Sequence, residues 1–358
     1  MGQGGHEAVQ AGLGRDRTGR RRKGMGRHGI LRGGWGAGAG LLFLLVGAPI
    51  GANGYEVWVT NQGLNKVQVI DGDSLKVIGE ISAGSKPHNV TFSHDFKRAY
   101  VANVGSSDVT VIDTTTRQVV KTVPAGKTAH HVAVSPDDRL LLVSNPGEQT
   151  VMLFDATSLD LLKTIPVGKA PAMAVFTSDG KRAYVSNGGD ATVSIVDVTK
   201  REVVKTIPGV GRGAMGMVLT PDGKTAVVTG GGDNKTSVID TATDGVVAEV
   251  LTGKDPHGAA LTEDGRLILI ADRQSDAVSL VDSGTWKVVA TVPNVERPDI
   301  IEAFGGRGFI TTRGQAVTGD PHALSGKNPS LVVIDLQRRQ VHATVPLGGD
   351  PHGVAVRR

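Results

Sequence analysis

From Tyr55 to the end of the chain, short runs of apolar and mostly β-branched residues alternate with polar turns at regular intervals. A representative unit contains four such runs, at residues 90–92, 99–102, 109–112 and 119–123. Alternation with a period of two residues predicts strands, and no stretch has the length or period of a helix. The pattern therefore predicts an all-β protein.

This four-strand unit recurs seven times. Each third strand ends in two apolar residues followed by an aspartate, and these aspartates are Asp71, Asp113, Asp155, Asp197, Asp240, Asp282 and Asp335. They are separated by 42, 42, 42, 43, 42 and 53 residues. Four strands in a unit of this length match one blade of a β-propeller. We predict a single domain over residues 53–358, folded as a seven-bladed β-propeller with four-stranded antiparallel blades.

Several second strands carry a recognisable motif. They read VWVTN at 57–61, YVAN at 100–103 and YVSN at 184–187, and each is followed by a turn and a V-x-V-I-D type of strand. These segments resemble the repeat of the YVTN-type β-propeller family, and the resemblance extends over residues 55–358. It implies the seven-bladed fold and an exported bacterial or archaeal protein, and it implies no particular activity.

The phase of the repeat predicts how the ring closes. The first unit opens at Tyr55 on a second strand, whereas residues 351–356 have the character of a first strand. The simplest closure pairs this C-terminal segment with Tyr55–Asn61, so that one blade is built from both ends of the domain. A closed ring also removes exposed sheet edges.

A basic and then apolar segment precedes the repeats. Residues 1–52 begin with basic side chains and continue with an apolar run at 41–46 and small residues up to Ala52. These are the parts of a secretory signal, and the apolar stretch is shorter than the roughly 20 residues that span a bilayer. We predict a leader over 1–52 that is cleaved after Ala52, with translation starting at Met1 or Met25. The mature chain would be periplasmic or secreted, without a transmembrane span; an uncleaved anchor is the alternative.

The positive charge of the chain belongs to that leader. The whole chain has a net charge of +4, but residues 1–52 hold eight basic and two acidic side chains, so the 31 basic and 33 acidic residues that follow have a net charge of −2. The predicted propeller therefore has no overall field that would attract phosphates, which excludes nucleic acid as a partner.

The sequence lacks the common catalytic motifs. It has no cysteine, no H-E-x-x-H and no G-x-S-x-G, which excludes thiol chemistry, zincin-type proteolysis and α/β-hydrolase chemistry. The seven repeated aspartates lie at the same strand end in every unit. We interpret them as Asx-type turn caps rather than as catalytic carboxylates.

One position of the repeat carries four of the ten histidines of the chain, and we call it the slot. It lies at the start of the first strand, and its seven occupants are His88, His130, Ala172, Met215, His257, Asp299 and His352. In a propeller the first strand of every blade lines the central channel. The slot residues are therefore expected at one mouth of the channel, with five contiguous blades presenting imidazole or carboxylate.

A longer loop and a set of asparagines belong to the same face. The unit that holds Asp299 has an insertion at 313–330, with Asp320 and His322, and we expect this loop to fold over the channel mouth. Other second strands end on the same side in Asn61, Asn103, Asn145 and Asn187. With Met215 and Asp320, these asparagines form the predicted binding face.

Two interpretations of the slot are open. In the first, the repeated Pro-His-Gly is an entry turn that the units share by ancestry, and the protein is a non-enzymatic binding or scaffold propeller for a protein, peptide or small-molecule ligand. In the second, the slot histidines, Asp299 and His322 hold a metal or cofactor in a redox or hydrolytic propeller or its accessory subunit. Imidazole and carboxylate suit zinc or copper, and the thioether of Met215 favours copper. We favour the first interpretation and expect a monomer.

Overall fold

A computed structural model describes residues 54–314 and 326–358. These residues form seven four-stranded antiparallel sheets, the blades, and one 3₁₀ turn at Gly231–Asp233. The predicted seven-bladed β-propeller is therefore confirmed. Within the described ranges, no helix has the length and apolar character needed to cross a membrane.

Every blade has an inner, a second, a third and an outer strand. The inner strands are β4 (Pro87–Phe92), β8 (His131–Val134), β12 (Pro171–Phe176), β16 (Ala214–Leu219), β20 (Pro256–Leu261), β24 (Pro298–Phe304) and β28 (Pro351–Arg357). The second strands are β1 (Glu56–Asn61), β5 (Arg98–Asn103), β9 (Leu140–Asn145), β13 (Arg182–Asn187), β17 (Thr225–Gly230), β21 (Leu267–Asp272) and β25 (Arg307–Thr312). The third strands are β2 (Lys66–Asp71), β6 (Asp108–Asp113), β10 (Thr150–Asp155), β14 (Thr192–Asp197), β18 (Lys235–Asp240), β22 (Ala277–Asp282) and β26 (Ser330–Asp335). The outer strands are β3 (Val77–Ser82), β7 (Gln118–Pro124), β11 (Leu161–Pro166), β15 (Glu202–Pro208), β19 (Gly245–Val250), β23 (Lys287–Pro293) and β27 (Gln340–Pro346).

The blade built from both ends of the domain closes the ring. We call it blade 1, with the strand order β28-β1-β2-β3, and number the others along the chain from blade 2 (β4–β7) to blade 7 (β24–β27). Strand β28 pairs antiparallel with β1, and Val356 faces Val57 in the register. The predicted closure is confirmed. The inner strands contact each other in ring order, and β28 lies between β24 and β4.

The core lies between successive blades, because each sheet buries apolar side chains on both faces. Trp58 of blade 1 is fully buried, and its ring stands edge-on against Phe92 of blade 2 with the centroids 5.1 Å apart. Val67, Val90 and Val101 belong to the same cluster. Because β-branched residues fit the pleated surface well, this packing follows from the sequence pattern.

The turns use the predicted side-chain chemistry. The carboxylate of Asp113 accepts hydrogen bonds from the backbone N–H and the hydroxyl of Thr116, at 2.8 and 2.9 Å. The six equivalent aspartates accept similar bonds from the residue three positions later, and these are Asp71, Asp155, Asp197, Asp240, Asp282 and Asp335. The interpretation of the repeated aspartates as turn caps is confirmed.

The register also places the slot. Pro87, at the start of β4, pairs with Asn103 at the end of β5. The entry to each inner strand therefore lies beside the loop that follows the second strand, on the same face of the propeller. We call this the slot face. The predicted leader and residues 315–325, which include Asp320 and His322, lie outside the described residues.

Candidate functional site

The slot residues lie beneath the surface of the slot face. None of the seven has a side chain more than 4% exposed, and Asp299 is completely buried. The chain enters the slot through a tight turn, as at Lys86, which has a left-handed φ of 52° just before Pro87. Beyond these turns, His88, His130, Met215 and His352 line one small cavity.

Three of the slot histidines are stacked. The ring of His88 lies between those of His130 and His352, with centroid distances of 3.8 and 3.7 Å and interplanar angles of 40° and 39°. Nδ1 of His352 lies 2.9 Å from the carbonyl oxygen of His88, and Nδ1 of His88 lies 3.1 Å from that of His130. Because a carbonyl oxygen only accepts hydrogen bonds, Nδ1 carries a hydrogen in both rings. The stack thus links blades 1, 2 and 3.

The carboxylate of Asp299 is the centre of the other half of the site. Oδ1 lies 3.0 Å from Nε2 of His257, and Oδ2 lies 3.3 Å from Nε2 of His352. Nη1 of Arg313 donates to Oδ2 at 3.0 Å. His352 therefore faces an acceptor at each ring nitrogen, the His88 carbonyl and the Asp299 carboxylate. His352 thus connects Asp299 of blade 7 to His88 of blade 2.

The charges around Asp299 decide its protonation state. Complete burial acts to raise the pKa of Asp299, but His352, Arg313 and His257 together hold the pKa of this carboxyl well below its usual range. Arg273 also contributes, with Nη1 at 3.7 Å from Oδ1. Asp299 is therefore ionised at neutral pH and neutralises several buried cations at once.

Two arginine–aspartate pairs surround this centre. Arg313 is 1% exposed, and its Nε and Nη2 donate to the two carboxylate oxygens of Asp350 at 2.7 and 2.6 Å. Arg273 makes the same two-bond contact with Asp255, with both distances 3.0 Å. Such bidentate pairs fix the orientation of both side chains. The buried site is therefore a closed network of charges that spans blades 6, 7 and 1.

The arginine–aspartate pairs were not among the predicted site residues. A signal for them exists, because Asp-Pro-His occurs at both 255–257 and 350–352, whereas the other slots have no aspartate before them. Arg273 and Arg313 each follow directly after a second strand. The pairing itself is between residues 18 and 37 positions apart, which the repeat pattern does not reveal.

The described residues do not form a ready metal site. Among residues 54–314 and 326–358, no group of three or more histidine, cysteine or acidic side chains is placed to hold a metal ion. Zinc needs imidazole nitrogens about 2.0–2.1 Å from one point, but the stacked rings lie side by side, and His257 and His352 turn toward Asp299. Because His322 lies outside the described residues, the predicted zinc or copper site stays a prediction.

The asparagines of the predicted binding face lie under that face. All four asparagines have no exposed surface: Asn61, Asn103, Asn145 and Asn187. The amide of Asn103 donates to Oδ1 of Asp108 at 2.7 Å and to the hydroxyl of Thr110 at 2.9 Å. These asparagines support the loops above them. Met215 is also buried, at 2% exposure, so the exposed slot face consists of turn residues.

Basic side chains recur in those exposed turns. Three positions before the slot, four successive blades carry Lys127, Lys169, Arg212 and Lys254, and all four are exposed. Arg212 pairs with Asp233 at 2.7 Å. Within the part of the chain that the structure describes, the three lysines make no ion pair. We call Lys127, Lys169 and Lys254 the lysine arc.

The carboxylates near the lysine arc accept hydrogen bonds from backbone N–H groups of the turns. Asp190 accepts a hydrogen bond from the backbone N–H of Lys169 at 3.0 Å, and Asp276 accepts one from the N–H of Arg297 at 2.9 Å. A carboxylate held by backbone donors has part of its charge compensated locally. The ammonium groups of the lysine arc extend from the same turns into water, which favours contact with an approaching anion.

Two family models match parts of the chain. The model described as "Cytochrome D1 heme domain" matches residues 56–191, and the model described as "YNCE-like beta-propeller" matches residues 131–264. Each covers less than half of the chain. Among curated protein sequences, none matches significantly.

Solved structures share the fold at low sequence identity. Hydrazine synthase of Kuenenia stuttgartiensis is 20% identical with a TM-score of 0.64, over 82% of this chain and 92% of that one. Dihydro-heme d1 dehydrogenase NirN, in complex with DHE, is 18% identical with a TM-score of 0.61, over 84% and 74%. A functionally unknown protein from Desulfotomaculum acetoxidans DSM 771 is 15% identical with a TM-score of 0.70, over 85% and 99%. At these identities the similarity shows the fold alone.

Proposed function

Because the chain is a seven-bladed β-propeller of the YVTN-repeat type, we propose that it is a binding protein that takes up an acidic ligand on its slot face. The lysine arc is the single observation that carries this proposal. Lys127, Lys169 and Lys254 occupy the same turn position, and all three are exposed without an ion pair among the described residues. An acidic peptide or an acidic patch of a partner protein fits this arrangement.

The buried network supports the proposal by making the slot face rigid. Arg313 and Arg273 tie the entry turns of neighbouring blades to Asp299, and the histidine stack continues the connection around the ring. A binding surface that is held in one geometry loses little conformational entropy when the ligand binds. The positive charge is local, because residues 53–358 have a net charge of −2. Charge complementarity would therefore select an orientation as well as a partner.

Fluorescence anisotropy with a labelled hexaglutamate peptide tests the acidic-ligand proposal. Replacing Lys127, Lys169 and Lys254 together by glutamine should weaken binding at least tenfold. The matched control replaces Lys97, Lys181 and Lys224, which are exposed lysines of the turns on the opposite face. The control should bind within twofold of the wild type, and a hexalysine peptide should not bind.

Salt dependence gives a second measure of the same contact. Binding should weaken as the ionic strength rises from low salt to physiological salt, because the Debye length falls to about 8 Å at 0.15 M. Equal loss in both lysine triple variants would show nonspecific attraction and would contradict the proposed face. Absence of any binding at low salt would contradict the acidic-ligand proposal altogether.

We further propose that the protein acts outside the cytoplasm. The basic and apolar segment before Ala52 has the order of a secretory signal. N-terminal sequencing of protein recovered from the periplasm or the medium should begin at Asn53. Recovery of a chain that still begins at Met1 or Met25 from the membrane fraction would instead support an uncleaved anchor.

A second candidate function is the binding of a metal or cofactor. The match of residues 56–191 to the cytochrome d1 haem domain model favours it, because this segment contains His88 and His130. The described side chains do not fit a ligand set by themselves, so the hypothesis depends on His322 in the insertion. Elemental analysis of untagged protein, beside a His88→Ala/His130→Ala double variant, separates the two candidates. Metal bound by the wild type and lost from the variant would favour the cofactor site, and equal content or none would favour the plain binding propeller.

A further inference from the structure

The channel between the inner strands holds a cavity of about 430 Å³, beyond the slot. It begins one residue past the slot, at Asn89, His131 and Met173, and it extends to His94 and Leu261 at the other ends of the inner strands. The His94 side chain is 56% exposed, so the cavity reaches the surface on the face opposite the slot face. Its volume falls in the range of about 300–1,000 Å³ that is typical of small-molecule sites.

The wall of the cavity combines apolar and polar surface and carries one acid. Met173, Val218 and Ile300 are partly exposed apolar residues of this wall, and Glu302 contributes a carboxylate. Among the described residues that line the cavity, Glu302 is the single acid and none is lysine or arginine. Burial lowers the pKa of His131 to about 4, so this imidazole is neutral at physiological pH and does not balance Glu302.

Glu302 departs from the repeat at its position. It lies three residues past the slot, where the other blades have Thr91, Ala133, Val175, Val218, Ala260 and Ala355. Burial raises the pKa of Glu302 to about 7, and the nearby Glu263 adds to the effect, whereas the Ala303 backbone and Arg358 oppose it. A largely buried carboxylate without a full counter-charge costs free energy unless a ligand compensates it.

Arg358, the cation that lowers the pKa of Glu302, makes two further contacts. The guanidinium of Arg358 lies 3.4 Å from Oε1 of Glu263, and it is placed over the ring of Phe304 at 4.8 Å from the centroid. Both contacts hold it at the outer end of the inner strands. A ligand that brings its own positive charge would therefore find Glu302 available from inside the channel.

We propose that the channel is a second binding site, open on the face opposite the slot face, for a small organic cation with a short apolar chain. The ammonium group of a primary alkylamine pairs with Glu302, and its alkyl chain lies against Met173, Val218 and Ile300. This site is separate from the proposed acidic-ligand surface, because it has the opposite charge preference and opens on the other face.

Isothermal titration calorimetry at pH 8 with hexylamine, hexanol and hexanoate tests the site. Hexylamine should bind at least tenfold more tightly than hexanol, and hexanoate should bind weakest. Glu302→Gln should remove the preference for the amine. Glu263→Gln is the matched control, because Glu263 is a neighbouring carboxylate that does not line this cavity, and the preference should persist. Equal affinity for the three compounds, no binding of hexylamine, or an unchanged preference in Glu302→Gln would overturn the proposal.

A second variant separates loss of the site from loss of the fold. Val218 lies in the wall and is partly exposed to the cavity, so Val218→Phe should fill the space and abolish binding of hexylamine and hexanol while the variant melts cooperatively. Retained hexylamine binding in a folded Val218→Phe would place the amine elsewhere and overturn the proposal. Saturating hexaglutamate should leave the hexylamine affinity unchanged. The proposal of a channel site is therefore tested independently of the proposed acidic-ligand surface on the slot face.

The pH dependence of hexylamine binding follows from Glu302. The carboxyl has a pKa of about 7 and must be ionised to pair with the ammonium, so affinity should rise between pH 6 and pH 8. The other titratable or charged groups near it are His131 and His94 across the channel and Glu263 and Arg358 at the strand ends. Glu302→Gln should show a flat profile over the same range, and an unchanged rise in this variant would contradict the assignment.

Discussion

Nε2 of His352, in the C-terminal strand β28, lies 3.3 Å from Oδ2 of Asp299 in the neighbouring strand β24. The other ring nitrogen of His352 faces the carbonyl oxygen of His88 at 2.9 Å. One imidazole side chain therefore joins the last strand of the chain to the blades on either side of it. The structure of the slot face and the closure of the ring consequently both depend on His352 and Asp299.

Removing the charge of Asp299 should destabilise the propeller. Asp299→Asn removes the carboxylate beside His257, His352 and Nη1 of Arg313, which keeps its pair with Asp350. Breaking a buried ion pair costs about 3–5 kcal/mol. Urea unfolding at pH 7 measures the loss. Asp335→Asn is the control, because Asp335 pairs with the exposed Arg338 on the surface and such pairs contribute about 0–1 kcal/mol. Similar losses in both variants would contradict the central role of Asp299.

The contribution of Asp299 to the free energy of unfolding should persist when the pH is lowered from 7. The pKa of Asp299 is lowered in the folded state, so its stabilising effect is fully present above the unfolded value of about 3.9 and is lost only as the pH falls through the lower folded value. The difference in unfolding free energy between wild type and Asp299→Asn should therefore be at least as large at pH 5 as at pH 7, because His257 and His352 also lose the carboxylate that favours their protonated forms.

Regular spacing explains why the fold could be predicted so fully from the sequence. A blade is a local unit, so strand order, turn capping at Asp113 and the phase that brings β28 beside β1 are all visible in one repeat and its offsets. The slot positions followed from the same phase. The hydrogen bonds and ion pairs of the slot residues depend on contacts between blades.

Those contacts are not periodic and could not be predicted in the same way. Arg313 of blade 7 binds Asp350 on the next blade, whereas the equivalent Arg273 binds Asp255 within its own blade. Glu302 sits in an apolar strand, where the sequence shows a break in the pattern but not the cavity that the side chain faces. Asn103 carries a polar amide at a loop, and its complete burial is a property of the packed ring.

Asp272 should be a destabilising residue at neutral pH. It occupies in blade 6 the position of Asn103 and Asn187, and it accepts a hydrogen bond from Ser279 at 2.6 Å. Burial raises the pKa of Asp272 to about 6. The folded state thus binds a proton more tightly than the unfolded state, so the stability that depends on this proton is present at low pH and is lost as the pH rises through 6.

The variant Asp272→Asn should recover that stability. Asn187 donates to Ser194 with the same spacing at 2.9 Å, so an asparagine fits the site. We expect a gain of about 2–3 kcal/mol at pH 7.5, which should shrink toward zero near pH 4. Urea unfolding at the two pH values measures it. Asp282→Asn, at an exposed turn of the same blade, should show no such gain; a gain of equal size there would refute the role of burial.

His131 should have the opposite pH dependence. Burial lowers its pKa to about 4, against about 6.5 for an unfolded histidine. The unfolded chain takes up the proton first, so stability should fall as the pH drops from 6.5 toward 4. His131→Met, which copies Met173 on the next blade, should remove about 2–3 kcal/mol of that fall. Replacing the exposed His342 by methionine should leave the pH profile unchanged, and an identical effect of both variants would rule out the buried imidazole as the cause.

Deleting residues 349–358 should open the ring. The deletion removes β28, whose Val354, Ala355 and Val356 are 5–9% exposed and pack between blade 1 and its neighbours. Apolar burial is worth about 25 cal/mol per Å², so the loss should reach several kcal/mol, comparable with the stability of a whole domain at about 5–15 kcal/mol. It also exposes the edge of β1, which favours aggregation. We expect insoluble protein, or soluble protein that elutes as large oligomers in size-exclusion chromatography.

A circular permutant separates the strand itself from its place in the chain. Joining Arg358 to Tyr55 by a short glycine–serine linker and opening the chain in the turn at Asp264–Gly265 keeps every strand and moves only the covalent closure. If β28 acts through its pairing with β1, in which Val57 faces Val356, the permutant should remain a soluble monomer with a cooperative melt. A truncated chain that melts like the full-length protein would contradict this closure. A permutant that fails to fold, beside a truncated chain that folds, would contradict it as well.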